Sequence, residues 1–78
     1  MEHETLNVKD LLYEVTEDRR VYRDDTELLD SGILDSLAFM ELFTRLEDYG
    51  VEIYPTRIDR ERLRTVKSVE ELVREYGG

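Results

Sequence analysis

Cysteine and tryptophan are both missing from this chain, and proline occurs once, at Pro55. Without cysteine there is neither a disulfide framework nor a thiolate metal site, and a reducing compartment fits that usage. Any thioester chemistry would have to borrow its thiol from a prosthetic group. The only histidine, His3, has no second ligand spaced to help it hold a metal. No acid–base constellation can be assembled around it either, so an enzyme is not expected. There is no apolar run long enough to span a bilayer and no signal-peptide pattern. No membrane span and a cytoplasmic location are therefore expected. Linkers rich in proline or serine, internal repeats and low-complexity tracts are also missing. One domain is expected over residues 1–78.

What the chain does have is negative charge. Its 78 residues carry 20 acidic and 11 basic side chains, for a net charge of −9. Residues 1–50 hold 14 acidic and 5 basic side chains, and residues 51–78 hold 6 of each. All the net charge thus lies in the first part. Such a surface repels nucleic acid, which requires a basic footprint. It steers instead toward basic partner surfaces, although solubility alone would favour the same balance. A core of this size is only marginally sufficient without disulfides or metal.

Val8, Leu11, Leu12 and Val15 fall at i, i+3, i+4 and i+7 and predict a first helix. Thr5 or Asn7 is its cap. Residues 19–35 follow with no steady period, a connection long enough to need its own apolar anchors. Val21, Tyr22, Leu28, Leu29, Ile33 and Leu34 are the candidates. Asp24-Asp25-Thr26-Glu27 invites a calcium loop, but placing Gly32 at the sixth position puts Ala38 where the loop needs glutamate, so the register fails. A second helix is predicted from Ser36 to Tyr49, ending at Gly50, with Phe39, Leu42, Phe43 and Leu46 inward. Arg45 is placed to pair with Glu41. Glu41, Glu47 and Asp48 charge the same helix. An extended connector, Val51 to Pro55, leads to a short third helix near Arg57–Arg62, capped by Thr56. Ile58 would face inward, with Leu63 just beyond. Arg57, Arg60, Arg62 and Arg64 read either as a solvated face paired with Asp59 and Glu61 or as a docking patch. Ser68-Val69-Glu70-Glu71 has the form of a capping box and predicts a last helix with Val69, Leu72, Val73 and Tyr76 inward.

Chemistry concentrates where the long connection meets the second helix, in Gly32-Ile33-Leu34-Asp35-Ser36-Leu37. Gly32 gives a turn its backbone freedom. The Asp35 carboxylate is a good acceptor for the free N–H groups of a helix start. Ser36 then occupies the first helical position with its hydroxyl outward. Nothing nearby would activate that hydroxyl, so Ser36 reads as an acceptor modified by another enzyme, not as a nucleophile. An anion on it would meet the positive end of the helix dipole. Leu37 and Met40 lie partly off the core stripe. They are either peripheral core or an apolar contact patch beside Ser36, for which methionine is well suited.

Asp35-Ser36-Leu37, with Gly32 before it and Met40, Leu42 and Glu47 after it, resembles the attachment site of acyl and peptidyl carrier proteins. The resemblance covers about residues 5–76. Within that family, Ile33-Leu34-Asp35-Ser36 and Ile58-Asp59-Arg60 are most similar to D-alanyl and related aminoacyl carriers. The chain departs from those carriers at Leu63 and Val66, where they often have tryptophan and proline. The resemblance implies an all-α four-helix bundle, three main antiparallel helices and a short third one. It implies a 4′-phosphopantetheine arm, taken from coenzyme A and attached to Ser36, that holds an acyl or aminoacyl group as a thioester. Asp35 would help recruit the phosphopantetheinyl transferase and its magnesium. Leu37, Met40 and Glu41, with Arg57 and Arg60, are the candidate contacts for partners. Those partners are the transferase, an adenylating ligase that loads the arm and an acyltransferase that unloads it. A monomer is expected. The competing reading is a small acidic adaptor that binds a basic partner without modification. The cargo stays open between D-alanine, another amino acid and an acyl group.

Overall fold

The computed structural model describes residues 6–77. Three α-helices form the frame: α1 (Val8–Thr16), α2 (Ser36–Asp48) and α3 (Val66–Gly77), joined by single turns of 3₁₀ helix. Helix α1 packs against both others. Pairing of extended backbone is limited, among the described residues, to one antiparallel bridge between Glu27 and Thr65. No helix among them is long and apolar enough to cross a membrane.

Helix α1 begins at Asn7, whose Oδ1 accepts from the Asp10 N–H at 3.1 Å. Thr5, the other candidate cap, lies outside the described residues, as does His3. Val8, Leu11 and Leu12 are buried and Val15 is half-buried, as their spacing required. The helix stops at Glu17, which turns left-handed (φ 57°) and donates its N–H to the Tyr13 carbonyl at 2.7 Å.

Residues 17–35 have no period because they are anchored point by point. Val21, Leu28 and Leu34 are buried, and Leu29 and Ile33 pack against them. Tyr22, expected as a further anchor, stays 45% exposed. Its hydroxyl donates to Asp10 at 2.7 Å, a partner that burial would have removed. Backbone bonds fasten the connection to the start of α3: the Leu28 N–H to the Arg64 carbonyl at 2.7 Å, and the Lys67 N–H to the Asp24 carbonyl at 3.0 Å. Asp24 pairs with Lys9 at 2.6 Å, and that hydrogen-bonded ammonium holds its carboxyl below the usual range. Asp18 accepts from the Arg20 guanidinium and its backbone N–H, which lower its pKa to about 2.

Helix α2 is rotated slightly from the expected stripe. Ala38, Leu42, Phe43 and Leu46 are buried, while Phe39 is only half-buried. The core line runs through positions 38, 42 and 46, which leaves Phe39 on its flank, edge-on to Phe43 with ring centroids 5.1 Å apart. Gly50, at φ +83°, ends the helix. Its N–H reaches the Glu47 carbonyl at 2.9 Å and the Val51 N–H reaches Leu46 at 2.9 Å, the paired bonds of a Schellman cap. Arg45 pairs not with Glu41 but with Glu14 of α1, at 2.6 Å.

The short third helix resolves into two 3₁₀ turns, Pro55–Arg57 and Arg60–Leu63. Ile58 and Asp59 between them are extended, and Asp59, not Thr56, caps the second turn by accepting from the Glu61 N–H at 3.0 Å. The physical reason lies in spacing. Ile58 and Leu63 are five apart, so one continuous helix would not place both on one face. The break lets Leu63 be buried and Ile58 pack against the core.

Helix α3 starts two residues before Ser68. Thr65 and Ser68 form the box: the Ser68 N–H donates to Thr65 Oγ1 at 3.2 Å and the Thr65 N–H to Ser68 Oγ at 3.0 Å. The earlier start buries Val66 beside Val69, Leu72 and Val73. Tyr76, expected inward, is 47% exposed although it continues that stripe, because it stands in the last turn of the helix.

Candidate functional site

The connection delivers the chain to α2 at a fixed point. Gly32 turns at φ +80°, the region where a side chain is strained. Its N–H bonds to Leu29 at 3.1 Å, and the Leu34 N–H returns to the Leu28 carbonyl at 2.9 Å. Leu34 is then buried, at 2% exposure, so the next residue must emerge at the surface. That residue is Asp35. It is extended (φ −78°, ψ −176°), and its Oδ1 accepts from the Ala38 N–H at 2.9 Å. One of the orphan donors at the start of the helix is thereby satisfied.

Ser36 is the first residue of α2 and is exposed. Its hydroxyl makes no hydrogen bond among the described residues. It stands at the positive end of a helix of 13 residues, where an attached anion is favoured.

Around Ser36 the surface is apolar and then charged. Leu37 is 72% exposed and Met40 59%, which rules out the peripheral-core reading. Neither belongs to the core. Glu41 is exposed beside them. No group of three or more histidine, aspartate or glutamate side chains among the described residues is placed to hold a metal ion.

The basic segment divides in two. Arg62 pairs with Glu75 at 2.8 Å, and Arg64 with Glu27 and Glu61, both at 3.4 Å. Arg57 and Arg60 have no carboxylate partner among the described residues. They rest on aromatic rings instead. The Arg60 guanidinium carbon lies 5.4 Å from the centroid of Phe39, and that of Arg57 lies 6.0 Å from Tyr54. Neither pairs with Asp59, whose Oδ1 caps the second turn. The Phe39–Arg60 contact joins α2 to the 3₁₀ turn at Arg60–Leu63, and no local spacing in the sequence announces it.

Asp35 makes two contributions that substitution separates. Asp35→Ala is expected to cost about 1 kcal/mol through the lost cap. Asp35→Asn keeps an acceptor in place and should remain near wild type in urea denaturation. A full loss in the asparagine variant would show that the charge, not the acceptor, stabilises the helix start.

A family model described as a phosphopantetheine attachment site matches residues 7–73. The chain is also 39% identical over 71 residues to a D-alanyl carrier protein of Abiotrophia defectiva, a match covering 88% of this chain and 86% of that protein. The family match runs from the cap of α1 into α3 and contains Asp35-Ser36.

Proposed function

The chain belongs to the phosphopantetheine attachment family of carrier proteins, and from that premise we propose that Ser36 is the residue that bears the arm. It is a phosphopantetheine-carrying protein, so its work is to hold and present a group, not to catalyse. The observation that carries the site assignment is the free, exposed hydroxyl of Ser36 at the capped start of α2. A phosphodiester fits there, because the helix N-terminus favours an anion and no neighbouring side chain closes over the hydroxyl. When bound, phosphopantetheine supplies the thiol that this cysteine-free chain lacks, and an acyl or aminoacyl group is held on it as a thioester.

The D-alanyl carrier relative supports an aminoacyl cargo, with D-alanine the first candidate. Three partners follow from that role: a phosphopantetheinyl transferase that installs the arm, an adenylating ligase that loads it and an acyltransferase that relieves it. Leu37 and Met40, exposed beside Ser36 and flanked by Glu41, offer these enzymes an apolar contact ringed by charge. Charge of that kind governs association rate, and the buried apolar contact governs residence time. Arg60 reaches α2 through Phe39, and Arg57 lies over Tyr54.

Intact-mass analysis after incubation with coenzyme A, magnesium and a tolerant transferase tests this function. The expected result is gain of one phosphopantetheinyl group. An unchanged mass, with the protein folded and a known carrier modified alongside, would leave the unmodified adaptor as the better reading. The mass of protein isolated from its own cells would then identify the cargo.

A further inference from the structure

Given that Ser36 bears the arm, we propose that Arg60 is a positioning residue for it: the guanidinium, held on the ring of Phe39, pairs with the phosphodiester and keeps the base of the arm against α2. Phe39 is three residues beyond Ser36, so the two share a helix face, with Cβ atoms about 5–6 Å apart. A long side chain in a helix leans back over the turn N-terminal to its own Cα. A cation carried on the Phe39 ring, 5.4 Å from its centroid, is therefore carried beside the turn that opens with Ser36.

Charge gives this placement its purpose. Asp35 already puts a carboxylate at the start of the helix, and a phosphodiester on Ser36 adds a second anion next to it. The helix dipole offsets only part of that charge. Arg45, Arg62 and Arg64 are engaged, with Glu14, with Glu75 and with Glu27 and Glu61 respectively. Arg60 has no such partner among the described residues, and it is exposed. Arginine is also the side chain that stacks on an aromatic face while offering a planar fork of donors to phosphate oxygens.

Arg57 is the internal control. It lies over Tyr54, which lines a groove with Met40, Phe43, Thr44 and Glu47, a stretch of α2 that begins one turn beyond Ser36. Its charge and its aromatic support match those of Arg60, but its place does not.

The test is NMR of the protein before and after attachment of phosphopantetheine. On attachment the Arg60 Nε–Hε signal should move, and that of Arg57 should stay. In the modified protein the ³¹P resonance of Arg60→Gln should differ from wild type, while that of Arg57→Gln should coincide with it. The Arg60→Gln difference should shrink in about 1 M salt, where the Debye length falls to about 3 Å. Arg60→Lys, which keeps charge without the fork, should fall between. The wild-type Nε–Hε comparison needs no variant, so it decides the matter even if Arg60→Gln fails to fold. An Arg60 Nε–Hε signal that stays unmoved on attachment would overturn the pairing while leaving Ser36 as the attachment site. Failure of wild type to take the arm on Ser36 would overturn both.

Discussion

Ser36→Ala is expected to abolish attachment of phosphopantetheine and to leave the fold intact. The two halves of that expectation have separate causes. Attachment fails because alanine has no oxygen to form the phosphodiester. The fold survives because Ser36 is exposed, its hydroxyl has no partner among the described residues and alanine is the best helix former. Surface changes of this kind stay within about 0.5 kcal/mol. Intact mass should show no added group under conditions that convert wild type fully, and urea denaturation should place the two midpoints together. A variant that still gained the group would move the site to another hydroxyl. A variant that lost both the group and the fold would show that Ser36 has a structural role the exposed position does not account for.

Leu28→Ala is expected to cost about 2–5 kcal/mol, the range for truncating a fully buried leucine. Leu28 is 0% exposed. Stability of about 0.05–0.15 kcal/mol per residue makes this a large share of the total for so short a chain. The cost also falls on the site. Leu28 joins the segment just before α3 through its N–H to the Arg64 carbonyl at 2.7 Å, and its own carbonyl receives the Leu34 N–H at 2.9 Å. These bonds fix the turn from which Asp35 and Ser36 emerge. The urea midpoint should drop sharply, and modification of Ser36 should slow in the fraction that remains folded. A loss below about 1 kcal/mol would show that the connection collapses around the smaller side chain.

The sequence made some of this architecture readable and concealed the rest, for physical reasons. The starts of α1 and α2 were readable because caps are local: Asn7 and Asp35 act on N–H groups three residues away. The end of α2 at Gly50 was equally local. The start of α3 was not, because Ser68-x-x-Glu71 has the form of a box, whereas Thr65-x-x-Ser68, which forms the bonds, lacks its usual glutamate. The choice between them rests on burying Val66, a tertiary matter. The segment near Arg57–Arg62 reads as one short helix, where the chain forms two 3₁₀ turns, because isolated 3₁₀ turns carry no period. Whether Leu37 and Met40 were core or surface depended on which of two neighbouring stripes of α2 turned inward. The stripe through Ala38 prevailed and left both outside. The Phe39–Arg60 contact joins segments far apart in the chain, and no local pattern encodes it.

Peptide mapping of the modified protein tests the central claim most directly. Tryptic cleavage after Arg23 and Arg45 leaves Ser31 and Ser36 on one fragment, so fragmentation within that peptide must locate the group. Ser31 is the informative competitor, being also exposed and in the same connection, but its hydroxyl is committed to the Glu27 carbonyl and the Ile33 N–H. The account predicts phosphopantetheine on Ser36 alone. Its appearance on Ser31, or on Ser68 in the peptide from α3, would contradict the account.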